Sequence, residues 1–189
     1  MPIKDLLTQF NWVDALVFTP ILLRSIYIGV RQGFVVEFFK TLGILFISYF
    51  TLHYYSRLGD FLAGKTSIAP ELAHIIFYLA ISFFIFIGFM FIRQGLFCII
   101  KVEVVSLLKT WGGAILGCVR GIFLTSTIFI FLLVSNNKYL MESISQSYFA
   151  NKVIHIAPYS YRFMFNNLVS KFSAEEKLNP DLFKMLEEK

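Results

Sequence analysis

The chain has 189 residues, 57% of them hydrophobic, 18% aromatic and only 15% charged, with a mean hydropathy of +0.70 and a net charge of +5. Soluble domains carry about 25% charged residues, and so small a charged fraction cannot cover a water-soluble fold of this size. Intrinsic disorder, collagen and a disulfide framework are excluded by composition as well, which leaves a polytopic, all-α integral membrane protein.

A hydrocarbon core about 30 Å thick takes about 20 helical residues. Four stretches supply that length, residues 11–30, 34–55, 72–92 and 111–135, so four transmembrane helices are predicted. Residues 1–10 pair Lys4 with Asp5, and no small-residue cleavage pattern follows. The first segment therefore reads as a retained helix rather than a signal peptide. Arg31-Gln32-Gly33 forms a tight turn into the second span.

A polar connector, Ser56 to Glu71, precedes the third span, which carries no formal charge. Within it, Gly59 to Thr66 matches the pattern G-x-x-x-x-G-K-[ST]. A working phosphate loop needs a strand before it and a helix opening at its lysine; the octet instead follows a membrane helix, and Pro70 is the natural start of the next one. It is read as a connector. The third connector, Arg93 to Thr110, holds Arg93, Lys101 and Lys109 around an apolar run and is predicted to lie partly along the interface.

After residue 135, Asn136 and Asn137 end the fourth span. Apolar residues then recur at helical spacing through Leu140, Ile144, Phe149, Val153, Ile154, Phe163, Leu168 and Val169, the pattern of surface-lying helices. Asn179-Pro180 reads as an N-cap with proline at the first helical position. The expected organisation is a four-helix membrane domain over 1–160 and an amphipathic helical C-terminal tail over 161–189.

The basic residues are spread singly between apolar runs, which favours the lipid bilayer as partner over nucleic acid. Cys98 and Cys118 read as small buried hydrophobes. His53, His74 and His155 are scattered, and neither a paired-histidine metal motif nor a serine elbow occurs, so no enzyme activity, cofactor or metal is expected. Lys and Arg divide evenly between the two sides of a four-span topology, and the charge rule gives no orientation.

The informative residues are the ionisable and small ones inside the spans. Arg120 lies about 13 Å along the fourth span from Trp111. Thirteen Val, Ile, Leu and Phe residues between Ile115 and Val134 offset the insertion cost of about 3 kcal/mol for one central Arg. At about 100° per residue, Gly113, Gly117, Gly121 and Arg120 share one stripe of about 100°, a face suited to close helix contact that turns the Arg toward protein. Its candidate partners are Asp14 in the first span and Glu37 in the second. Gly29 and Gly33 make a second small-residue pair, and Arg24 is a further cation in the first span. Together Asp14, Arg24, Glu37 and Arg120 form the candidate charge network, and the glycine stripe is a candidate self-association surface.

Three segments, Trp12-Val13-Asp14, Arg31-Gln32-Gly33-Phe34-Val35-Val36-Glu37 and Gly113-Ala114-Ile115-Leu116-Gly117-Cys118-Val119-Arg120-Gly121, resemble the colicin V production protein (CvpA) family of bacterial inner-membrane proteins in order and spacing, over roughly residues 10 to 160. Lys109-Thr110 departs from the Asp-Arg that members often carry there. The resemblance implies a non-enzymatic, multi-pass inner-membrane protein required for colicin V production or secretion and for envelope homeostasis, working through contacts with other membrane or secretion components. A similar domain precedes trypsin-like proteases that act outside the cytoplasm, which implies that both termini face the periplasm. The alternative from the residues themselves is a small transporter or channel that uses the intramembrane charges.

Overall fold

A computed structural model describes residues 11–99, 107–172 and 176–187, and these are helical apart from short turns. The first helix begins as a π-helical turn, Asp14–Phe18, and continues as α1, Thr19–Gln32. Pro20 explains the wide turn: it has no N–H to give the carbonyl four residues back, and the Thr19 hydroxyl instead donates to the Asp14 carbonyl at 2.8 Å. Gly33 alone separates α1 from α2. Its φ of +84° lies in the region glycine enters without steric cost, which allows so short a reversal.

α2 (Phe34–Ala63) and α3 (Pro70–Ile99) are 30 residues each. A second π-helical turn, Leu108–Gly112, leads into α4 (Gly113–Val134). Among the described residues, three helical stretches are long and apolar enough to cross a membrane, Phe34–Ala63, Pro70–Gly95 and Leu108–Val134. The first of the four expected spans is not among them; Asp14 and Arg24 interrupt its apolar character.

α2 also runs on to Ala63 rather than stopping near residue 55. Most of the octet Gly59 to Thr66 is therefore helix, with Gly59 packed on His74 and Asp60 accepting from His74 Nε2 at 2.9 Å. That geometry has no cradle for a phosphate. Pro70 opens α3 as expected, and α3 continues to Ile99 where an interfacial piece was expected to begin; residues 100–106 of that piece lie outside the described residues.

Across the bundle the order is α1, α4, α2, α3, with α1 and α3 at opposite edges. Interhelical hydroxyls tie the middle, with Ser48 Oγ against Thr127 Oγ1 at 2.7 Å and Tyr78 donating to the Thr127 carbonyl at 2.7 Å. Beyond α4 the chain folds back as α5 (Lys138–Gln146), α6 (Tyr148–Val153), α7 (Ile156–Met164), a π-helical turn at Phe165–Val169, α8 (Ser170–Phe172) and α9 (Pro180–Glu187). α7 runs through position 160, where the tail was expected to separate from the membrane domain.

One face of these helices packs on the bundle: Ile144, Ile154, Tyr161 and Leu182 are buried in one core with Leu52, Phe129, Ile130 and Leu133 of α2 and α4, while Tyr139, Tyr159, Phe163 and Leu168 stay exposed. That core occupies the end of the bundle away from the Gly33 turn. The other end is held by glycines and charges.

Candidate functional site

The glycine stripe is a seam between α1 and α4. A Cβ added at Gly29 or at Gly113 would overlap the carbonyl oxygen of the other, and one added at Gly117 would lie 2.5 Å from the Ser25 carbonyl oxygen. The obstructing atoms are backbone, so the two helices approach as closely as their main chains allow, the small-residue mode of membrane packing. Gly33 is covered by the aliphatic stem of Lys109, and Gly121 by Ser25 and Leu22. The stripe expected to serve self-association is thus taken up within the chain by α1.

The seam holds Arg120 beside α2. Its Nε lies 3.2 Å from Glu37 Oε2, and its Nη2 donates to the Ser25 carbonyl at 3.3 Å. Glu37 is fully buried, Arg120 is 14% exposed, and Lys40 Nζ meets the other carboxylate oxygen at 2.9 Å. Glu37 Oε2 is in ion-pair range of the guanidinium yet makes no aligned hydrogen bond, so charge rather than directionality holds this contact. Lys40 also donates to Gln32 Oε1, which ties the clasp to the end of α1. Of the two partners open to Arg120 on sequence grounds, the structure brings Glu37 to it. Arg24 has no carboxylate within ion-pair distance among the described residues.

Asp14 lies at the opposite end of the fold and does different work. It is fully buried, its carboxylate accepts from the Ser147 hydroxyl, and it also accepts from the backbone N–H groups of Tyr148 and Ala150 at 3.2 Å each. A carboxylate facing the first turn of a helix satisfies N–H groups that have no helical partner. It thereby fastens the first helix to the start of α6. Asp14→Asn places an amide NH2 against these donors and is expected to cost about 1–3 kcal/mol, read as a lower melting temperature of the detergent-solubilised protein. An unchanged melt would show that Asp14 does not anchor α6.

Sequence reasoning missed a second fastening, at the far end of α2. His53 contacts Tyr161 Oη at 2.9 Å and Glu176 Oε2 at 3.0 Å, and Arg57 Nη1 donates to the same Glu176 oxygen at 2.8 Å. The Arg57 contact, followed by that of His53, holds the Glu176 carboxyl below its ordinary range. Burial pushes the Tyr161 phenol up to about 12.

Asn179 is buried and fully used. Its Oδ1 accepts from Ser56 Oγ and the Asp181 N–H at 3.1 Å each, its Nδ2 donates to the Leu52 carbonyl at 2.7 Å, and its own N–H donates to Tyr161 Oη at 3.0 Å. The Asn-Pro pair was legible as a helix cap; its docking onto α2 was not, because that depends on a non-local contact. Asn179→Ala is expected to free α9, with trypsin cleavage at Lys171 and Lys177 rising several-fold. Unchanged cleavage would show that the asparagine is only a local cap.

No group of three or more His, Cys, Asp or Glu is placed to hold a metal among the described residues. Cys118 is a half-buried free thiol. No curated protein and no solved structure matches the chain. The family model described as Colicin V production protein matches residues 13–158, a stretch that includes the seam, the clasp and the Asp14 fastening. The chain therefore belongs to the colicin V production protein family and is a multi-pass protein of the bacterial inner membrane.

Proposed function

We propose that the chain is a non-catalytic, four-span component of the inner membrane. On this reading it supports peptide-toxin production or secretion and envelope homeostasis by docking other membrane components. The observation that carries this is how the buried carboxylates are used: Glu37 is committed to Arg120 and Lys40, and Asp14 to the start of α6. In transporters, intramembrane ionisable groups face a substrate pathway; here both acids hold the fold together.

The fourth crossing on this reading is the first helix. Its π-helical turn and α1 cover 5 and 14 residues, or about 28 Å of helix, with Asp14 buried against the start of α6 and Ser25 buried on the seam. Four crossings place both termini on one side, which the family resemblance makes the periplasm. α3 leaves most of its apolar surface uncovered by the rest of the chain, with Leu79, Phe83, Phe84 and Phe91 exposed, and a partner helix or a second copy has that face available to it.

The tagged full-length protein, purified from a toxin-producing host, is expected to retain a specific membrane partner and to give no solute flux in liposomes. The transport reading has in its favour a cation-lined cavity between the helices. Flux that disappears in Arg120→Gln would establish transport and overturn the docking role.

A further inference from the structure

Among the described residues, the cations near the clasp outnumber the acids. Arg24 of α1, Lys40 of α2, Arg93 of α3 and Arg120 of α4 all line one cavity of about 350 Å³, within the size range of small-molecule sites. The carboxylate in ion-pair contact with this group among the described residues is Glu37, which takes Arg120 and Lys40; Arg24 and Arg93 have no such contact. The remaining wall is apolar, with Ile44, Ile47, Phe89 and Leu124 among its residues. The site therefore joins uncompensated positive charge to a greasy surface.

Its position in the bilayer restricts the ligand further. α2 and α3 are 30 residues each, about 45 Å long against a hydrocarbon core of about 30 Å, so each end projects by about 7–8 Å when the core is centred on them. Lys40 is six residues from the start of α2 and Arg93 six from the end of α3, about 9 Å in each case. The two helices run antiparallel, which puts both cations at the same membrane face, at the depth where headgroups meet acyl chains. Arg120 joins them there through Glu37, which is three residues nearer the start of α2 than Lys40. α1 and α3 stand at opposite edges and do not pack on each other, so the cavity lies between two helices that leave a side opening toward lipid. Basic pockets between membrane helices at this depth hold anionic headgroups.

We infer that this cavity binds one anionic phospholipid, with its phosphate between Arg24 and Arg93 and an acyl chain along Ile44, Ile47 and Phe89. The site stands apart from the docking role and does not require it.

The test uses full-length protein in nanodiscs of phosphatidylcholine with increasing phosphatidylglycerol, and lipid retained after detergent extraction is counted by native mass spectrometry. Wild type is expected to retain phosphatidylglycerol selectively. Each cation removed costs about fivefold in that selectivity, so Arg24→Gln/Arg93→Gln loses about 25-fold. Arg31→Gln, which removes a cation at the same face outside the cavity, is expected to retain the selectivity. Arg93→Gln alone, on an edge helix away from the seam, carries the test if the double variant does not fold. Equal retention of the two lipids by wild type would overturn the inference, as would equal losses in Arg93→Gln and Arg31→Gln. Displacement of the lipid by inorganic phosphate would also overturn it and assign the cavity to a soluble anion.

Discussion

Gly113→Ala is expected to lower the yield of folded, monodisperse protein sharply, whereas Gly88→Ala, a chemically identical change in α3, is expected to leave it unchanged or slightly raised. Alanine in place of a helical glycine gains up to about 1 kcal/mol from propensity alone. At Gly88 nothing lies within 4 Å of the new Cβ, so that gain stands. At Gly113 the Cβ meets the carbonyl oxygen and carbon of Gly29. Backbone cannot swing aside as a side chain would, so α1 and α4 must separate along the seam. Overpacking typically costs about 1–3 kcal/mol, and here the loss extends to the Arg120 clasp, which depends on the same spacing. Melting temperature and size-exclusion profile in detergent read both variants; equal behaviour would show that the seam is not the closest contact in the fold.

The clasp itself is expected to show strong coupling. Removing one member of a buried pair costs about 3–5 kcal/mol because the other charge is left uncompensated. Arg120→Gln should fall below that range, since Lys40 still faces Glu37 at 2.9 Å. Glu37→Gln should be the more damaging, because it leaves Arg24, Lys40, Arg93 and Arg120 around one cavity without a carboxylate among the described residues. The double variant Arg120→Gln/Glu37→Gln is expected to recover much of the loss. Exchanging the charges with Arg120→Glu/Glu37→Arg should restore more protein to the membrane than either reversal alone. Losses that simply add would show that the two residues do not share an interaction energy.

The residues that build the seam and clasp were legible in the sequence because a helix repeats on a fixed angle: Gly113, Gly117, Gly121 and Arg120 fall on one face whatever the tertiary fold. What faces that stripe was not legible. A second copy and α1 of the same chain present the same kind of small-residue surface, and only the reversal at Gly33 brings Gly29 and Ser25 into register. The partners of Asp14 are not legible in the sequence, because they are the Ser147 hydroxyl and backbone N–H groups more than 130 residues away, and backbone donors leave no side-chain signature. The packing of the tail on the bundle is illegible for a related reason. Its amphipathic spacing shows that one face is buried, but the same spacing serves a lipid surface and a protein core equally well.

The first helix is less apolar than the other three because it carries Asp14 and Arg24, and hydropathy counts residues without asking what faces them; Asp14, for one, is buried against the start of α6. The octet Gly59 to Thr66 carries the opposite lesson: a pattern match has no meaning once α2 runs through most of it.

The clasp also has an order in time. Glu37 leaves the ribosome 83 residues ahead of Arg120, which at about 5–20 residues per second is an interval of roughly 4–17 s. Throughout that interval the α1–α2 hairpin exists without α4, and the arginine that will neutralise Glu37 has not been made. Lys40, one helical turn away and already synthesised, is the counter-ion available to it. Lys40 thus acts first as a stand-in for Arg120 and afterwards as its companion.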